Sequence, residues 1–257
     1  MRRLVKGTAT LVMLIAVFLA GCATSQPPIN GPTNTASPPL ISTPANTASA
    51  SGSEWQSTFD ISACTMTTAG RNPYFILESG FQLVLEGGTS ELVITVLDET
   101  IEVDGVQTRV VEERESKDGE LVEVSRNFFA ICEQTNDIYY FGEEVDMYQG
   151  GEVSSHTGAW RSGDRDAKFG LIMPGAPRVG MKYYQELAPG VAMDRAEIIS
   201  LDETFSTPAG EFANSLKTKE GSALNPLEME FKTYAPGIGL IQDENLLLTQ
   251  HGFVESK

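Results

Sequence analysis

Histidine, tryptophan and cysteine are scarce in this chain of 257 residues, which holds two, two and three of them. A four-coordinate zinc site of the usual kind needs Cys and His ligands that are mostly missing. Basic residues are also few, 18 Lys and Arg against 35 Asp and Glu, so the formal charge is −17. That excludes nucleic acid or an anionic lipid surface as a main partner, because tracking phosphates takes a positive face. The folded part has no G-x-S-x-G, H-E-x-x-H, S-x-x-K or G-x-x-x-x-G-K-[ST], so a hydrolase is only a remote alternative. No stretch sustains a 3.6-residue apolar period for three turns, which limits the fold to a few short helices.

What is present begins with an address. Arg2, Arg3 and Lys6 precede an uncharged, largely apolar run from Thr8 to Ala20, the basic-then-apolar layout of an export signal. The run is too short to span a bilayer, which takes about 20 residues. It ends in Leu19-Ala20-Gly21-Cys22, which resembles the lipobox of bacterial lipoproteins. The resemblance implies removal of residues 1–21, diacylglycerol on the Cys22 thiol and further acylation of the new amino terminus. Two or three acyl chains make a durable anchor where one holds only marginally. Residues 22–54 carry no charge before Glu54, while six prolines and eleven Ser or Thr fall between Ala23 and Ser53. Such a segment cannot build a core and reads as a spacer between membrane and domain. The expected location is the cell envelope, on the extracytoplasmic side of a membrane.

Residues 55–257 form the folded part, with 15 basic against 34 acidic residues and a formal charge of −19. Short runs of Val, Ile, Leu, Thr and aromatics, punctuated by Gly, Pro, Asn and Asp, predict strands from Phe81 to His251. Asp104-Gly105 and Asp118-Gly119 are the pairs that two-residue hairpins favour. The prediction is an all-β domain of antiparallel meanders, arranged as a sandwich or an open half-barrel. Leu97-Asp98-Glu99-Thr100 and Leu201-Asp202-Glu203-Thr204 both lead into a turn. Their spacing of about 105 residues suggests an internal duplication, with halves at 72–145 and 180–251. Leu227-Glu228-Met229-Glu230-Phe231-Lys232 alternates as a half-buried strand does, with one wet face.

Three segments, Asn72-Pro73-Tyr74-Phe75-Ile76-Leu77-Glu78-Ser79-Gly80, the unit from Thr207-Pro208-Ala209-Gly210 to Glu220, and Tyr234-Ala235-Pro236-Gly237-Ile238-Gly239-Leu240-Ile241, resemble a group of uncharacterised exported bacterial proteins and lipoproteins. The resemblance implies an extracytoplasmic all-β domain and carries over no catalytic residue.

With Cys22 acylated, Cys64 and Cys132 remain as an even pair in an oxidising compartment. A disulfide is expected, with two separately buried thiols as the alternative. Adjacent aromatics at Phe128-Phe129, Tyr139-Tyr140-Phe141 and Tyr183-Tyr184 place rings on both faces of a sheet. The outer rings need cover, either an apolar ligand or the glycine-rich segment 142–180, which reads as a long loop. That segment gathers Glu143, Glu144, Asp146, Glu152, His156, Trp160, Asp164 and Asp166, oxygen ligands that could hold Ca²⁺ although their spacing matches no known loop motif. Glu112-Glu113 and Glu143-Glu144 diverge in strands and read as a solvated edge. The function these features favour is a non-enzymatic, membrane-anchored binding or structural module of the envelope that engages an envelope protein. The alternative is a carrier of an apolar ligand or acyl chain in an open barrel.

Overall fold

The computed structural model describes residues 54–254. The signal, Cys22 and nearly all of the spacer lie outside the described residues. Every regular element among the described residues is a strand, so the few short helices expected from sequence are absent there. Turn residues recur too often for a helix to propagate.

Along the chain, β1 (Met66–Thr67), β2 (Gly70–Asn72) and β3 (Phe75–Leu77) are short. They lead into a meander of β4 (Phe81–Gly87), β5 (Ser90–Val103), β6 (Val106–Lys117), β7 (Glu120–Cys132) and β8 (Ile138–Gln149). Then come β9 (Glu152–Ser155), β10 (Trp160–Arg161), β11 (Lys168–Met173), β12 (Lys182–Tyr184) and β13 (Glu186–Leu187). A second meander follows: β14 (Asp194–Thr207), β15 (Gly210–Ser222), β16 (Glu230–Ala235), β17 (Gly239–Asp243) and β18 (Leu246–Phe253). The segment 142–180, read from sequence as a long loop, is therefore about half strand. Glycines and charges hid its pattern, because β8 and β11 have irregular register and face a polar interior.

The sheet runs β14 to β18 and then β4 to β8 and β11, antiparallel throughout. Its two ends are fastened by residues 182–187. Tyr183 pairs with Ala196 on β14, Glu186 pairs with Phe169 on β11, and the Gln185 amide donates to the Asp194 carbonyl at 2.8 Å. The result is a nearly closed barrel rather than a sandwich. Gly170 makes the seam possible: a Cβ there would lie 2.1 Å from the Gln185 carbonyl oxygen.

Local chemistry explains the hairpins. Asp104 and Gly105 have φ of 52° and 75°, and Asp118 and Gly119 have 53° and 78°, the left-handed pair that tight hairpins require. The hairpins β5–β6 and β14–β15 also share an irregular register at the repeated Leu-Asp-Glu-Thr, between Val96 and Thr100 in one and between Ser200 and Glu203 in the other.

One end of the barrel is plugged by β2 and β3. Asn72 is 1 % exposed; its Nδ2 donates to the carbonyls of Asn136 at 2.8 Å and Pro174 at 3.1 Å. The Gly237 amide donates to the Pro73 carbonyl at 2.7 Å, and the Tyr74 hydroxyl donates to the Asn214 carbonyl at 3.1 Å. All three segments that carry the exported-protein pattern thus meet at this end. Cys64 and Cys132 are disulfide-bonded, with Cα atoms 5.2 Å apart. The bond closes 68 residues, a constraint on the unfolded chain of about 4 kcal/mol in the loop-entropy account.

Candidate ligand-binding lumen

Strand alternation decides what the barrel interior contains, since residues i and i+2 share a face. On β6 the inward row reads Glu115, Glu113, Val111; on β7 it reads Glu123, Ser125, Asn127, Phe129. On β16 it reads Glu230, Lys232, Tyr234. Each row begins with charge and ends with an apolar or aromatic group. The outward neighbours behave differently: Glu112, Arg126 and Glu144 stand opposite one another across β6, β7 and β8. There Arg126 pairs with Glu99, and Arg161 pairs with Glu144.

Two adjoining spaces result. The larger, about 430 Å³, is lined by Glu113, Glu115, Glu123, Glu143, Glu186, Asp194, Glu220, Glu230 and Lys232, with Ser125, Asn127, Tyr140 and Gln185. The smaller, about 120 Å³, lies towards the plug against Phe75, Phe81, Leu83, Ile94, Val96 and Leu240. Glu113, Phe129, Ile172, Gln185, Glu220 and Lys232 line both, so an acidic chamber adjoins a more apolar one.

The carboxyls of the acidic chamber fall into two groups. Glu220 is fully engaged, receiving Thr218 Oγ1 at 2.7 Å, Tyr234 OH at 3.3 Å and Gln185 Nε2 at 3.3 Å. With Glu230 and Asp243 it surrounds the Lys232 ammonium, at Nζ distances of 3.3 Å to Asp243, 3.6 Å to Glu230 and 3.9 Å to Glu220. Burial alone would lower the Lys232 pKa; Asp243 and Glu220 overcome that and hold it well above the usual lysine value. The other group, Glu113, Glu115, Glu123, Glu143, Glu186 and Asp194, has no basic partner among the described residues. Burial pushes Glu113 up to about 7, with Lys232 opposing and neighbouring carboxylates adding to the rise. Burial raises Glu143 to about 8, with Tyr140 opposing and Glu113, Glu123 and Asp194 reinforcing. Glu186 is raised well above the carboxylate range by burial, Glu143 and Asp194; it accepts only the Trp160 indole N–H, at 3.3 Å. Desolvation of like charges is the common cause.

Several sequence expectations change here. The carboxylates read as a solvated edge do diverge, but Glu113 and Glu143 point into the lumen and only Glu112 and Glu144 into solvent. The stretch Leu227–Lys232 is inside out: Leu227 is 92 % exposed and Met229 55 %, while Glu230 and Lys232 face inward. Apolar-inward is the rule for a filled core, and a charged lumen reverses it. The signal available was the charge on alternate positions of β16, Glu230 and Lys232; the unbroken charged run Glu112-Glu113-Arg114-Glu115 on β6 marks neither face.

The aromatic pairs split as alternation predicts. Phe129 and Tyr140 face inward with ring centroids 4.7 Å apart. Tyr139 and Phe141 face outward under Phe169, at 5.8 and 5.1 Å, and Phe59 also packs on Tyr139. Protein thus covers the outer rings. The residues considered for Ca²⁺ disperse: Glu143 enters the lumen, Glu144 pairs with Arg161, and Asp146 lies 2.8 Å from His156 Nδ1 on the surface. Among the described residues, no group of three or more His, Cys, Asp or Glu converges to hold a metal. His251 lies beside Phe212, away from the lumen lining.

No protein-family model, curated protein or solved structure matches the chain.

Proposed function

We propose that the protein is an extracytoplasmic binding module, tethered to a membrane through lipid on Cys22, whose barrel holds a small ligand in its lumen. The single observation that supports this is the pair of adjoining inner spaces that share six lining residues, an acidic chamber of about 430 Å³ beside a more apolar one of about 120 Å³. The larger chamber lies in the usual size range of ligand pockets, roughly 300–1,000 Å³, and is more polar than most of them. The alternative of a pure acyl-chain carrier is less well supported, because the apolar chamber is small and most of the free volume is bordered by carboxyls.

Native mass spectrometry of the full chain purified without detergent tests the binding half of this reading. A co-purifying mass lost on denaturation is expected; bare polypeptide that stays bare after incubation with an envelope extract overturns it. The tether is tested by Cys22→Ala, which is expected to move the protein from the membrane fraction to the soluble one. Unchanged fractionation overturns the tether.

A further inference from the structure

The acid-rich domain carries an outer strip of another kind, on the face of β12, β14, β15 and β16 turned away from the lumen. Lys182 stands opposite Glu197, Glu197 opposite Lys219, and Lys219 opposite Phe231, and directly paired residues share a face. In the next row towards the unplugged end, Tyr184 is followed by Arg195 and Gly221, and the backbone of Glu228 and Met229 passes over Gly221. Lys217 joins the strip with its ammonium over the Phe231 ring. Glu197 is held by Lys182 at 3.5 Å, whereas Arg195, Lys217 and Lys219 have no carboxylate partner among the described residues. Leu224, Leu227, Met229 and Phe231 are exposed. A second feature is independent of these: the chain enters the barrel on this strip. Gln56 bridges to Tyr183, and the centre of the Trp55 ring lies 4.5 Å from the Arg195 guanidinium and 5.9 Å from the Lys182 ammonium.

We infer that this strip is a membrane-docking face, which seats Leu224, Leu227, Met229 and Phe231 in the surface of the bilayer that holds the Cys22 lipid, with Arg195, Lys217 and Lys219 among its phosphates. The inference rests on the proposed tether. Exposed alkyl groups beside aromatic rings and unpaired cations suit a membrane–water interface, where rings and ammonium groups sit at headgroup level and alkyl groups reach below it. Cys22 precedes Trp55 by 33 residues, so the anchored end of the chain joins the barrel at this face. Tethering raises the local concentration of membrane around a patch too small to hold by itself. The formal charge of −19 keeps the remaining surface away from anionic headgroups, while the cations of the strip act at the contact, within a Debye length of about 8 Å. A second copy of the chain fits less well, because a two-fold pairing of the strip brings the unpaired cations of both copies into one interface.

The test reconstitutes the full chain into vesicles of phosphatidylethanolamine and phosphatidylglycerol, with and without bromine on the acyl chains, and reads tryptophan emission. Trp160 is buried, so the difference between the parent and Trp55→Phe reports Trp55. On a strip seated ~5–10 Å into the boundary, Trp55 is expected to lose at least about half of its emission to the bromines. Leu227→Asp combined with Met229→Asp, both at exposed positions, is expected to abolish that loss while the protein stays with the vesicles. Lys217→Glu combined with Lys219→Glu should reduce it, and Val153→Asp, exposed on β9, should leave it unchanged. Vesicle-bound parent whose Trp55 emission ignores bromine overturns the docking and leaves the tether standing. Equal loss in the parent and in the paired Asp variant overturns the docking too. A dimer in sedimentation equilibrium that the paired Asp variant dissociates assigns the strip to a second copy and also overturns it. Protein that does not remain with the vesicles overturns tether and docking together.

Discussion

The two ends of the barrel are built from the same strands and differ in almost everything else. On β7 the inward row passes from Glu123 through Ser125 and Asn127 to Phe129. On β16 it passes from Glu230 through Lys232 to Tyr234. Each strand carries a register irregularity near that passage, between Asn127 and Phe129 against β8 and between Thr233 and Tyr234 against β17, and the rest of the difference is written in which residue occupies each second position. The plugged end is a conventional core: Phe75 meets Phe129 at 5.3 Å, and Leu77 and Leu85 are 0 % exposed. The other end keeps space open by lining it with groups that repel one another. Stability therefore comes from the first end, and open volume from the second.

That contrast can be broken by substitution, beginning at the apolar end. Phe129→Ala should cost ~3–5 kcal/mol in chemical denaturation, for lost transfer and an added cavity, and by the same amount at pH 5 and pH 8. A smaller loss at one pH would mean that Phe129 belongs to the titrating region.

Glu113→Gln is expected to act in the opposite direction. Its folded pKa, about 7, lies above the ordinary 4.5, so the folded state keeps a proton that the unfolded chain gives up. Its contribution is greatest below pH 4.5, declines as pH rises towards 7, and is gone above that. The amide removes this dependence, so the variant should be ~1–3 kcal/mol more stable than the parent at pH 8 and equal to it near pH 4. Unfolding midpoints measured across pH check this; a stabilisation that does not vary with pH would show that Glu113 is not the titrating group. The effect of Glu112→Gln, one residue away but facing solvent, should stay within ~0.5 kcal/mol at any pH.

Much of the barrel could be read from the chain because its signals are local. The Asp-Gly turns, the period-two runs and the pairing of the two cysteines left after Cys22 all depend on neighbouring letters or simple counting. Closure could not be read. It depends on β18 finding β4, with Leu248 opposite Leu85, and on residues 182–187 bridging two distant strands, pairings set by global geometry. The lumen was missed for another reason. Alternation identifies two faces but not which one is inside, and the usual assumption sends Leu227, Met229 and Phe231 inward. Here Phe231 lies outside, beside the Lys217 ammonium at 5.4 Å, and the charged row lies within. The adjacent pairs Glu112-Glu113 and Glu143-Glu144 each contain one residue of either kind, which sequence alone treats as equivalent.

The way the chain joins the barrel has a mechanical consequence. Gln56 is bridged to the seam strand, its amide donating to Lys182 and its carbonyl accepting from Tyr184, both at 2.9 Å. Eight residues later, Cys64 is covalently bound to Cys132 on β7. Traction from the amino-terminal side would strip Gln56 from the seam first, at the cost of two hydrogen bonds, and then stop at a sulfur–sulfur link that thermal forces do not break. Tension would thus loosen the clasp of the hoop while the hoop itself stays intact.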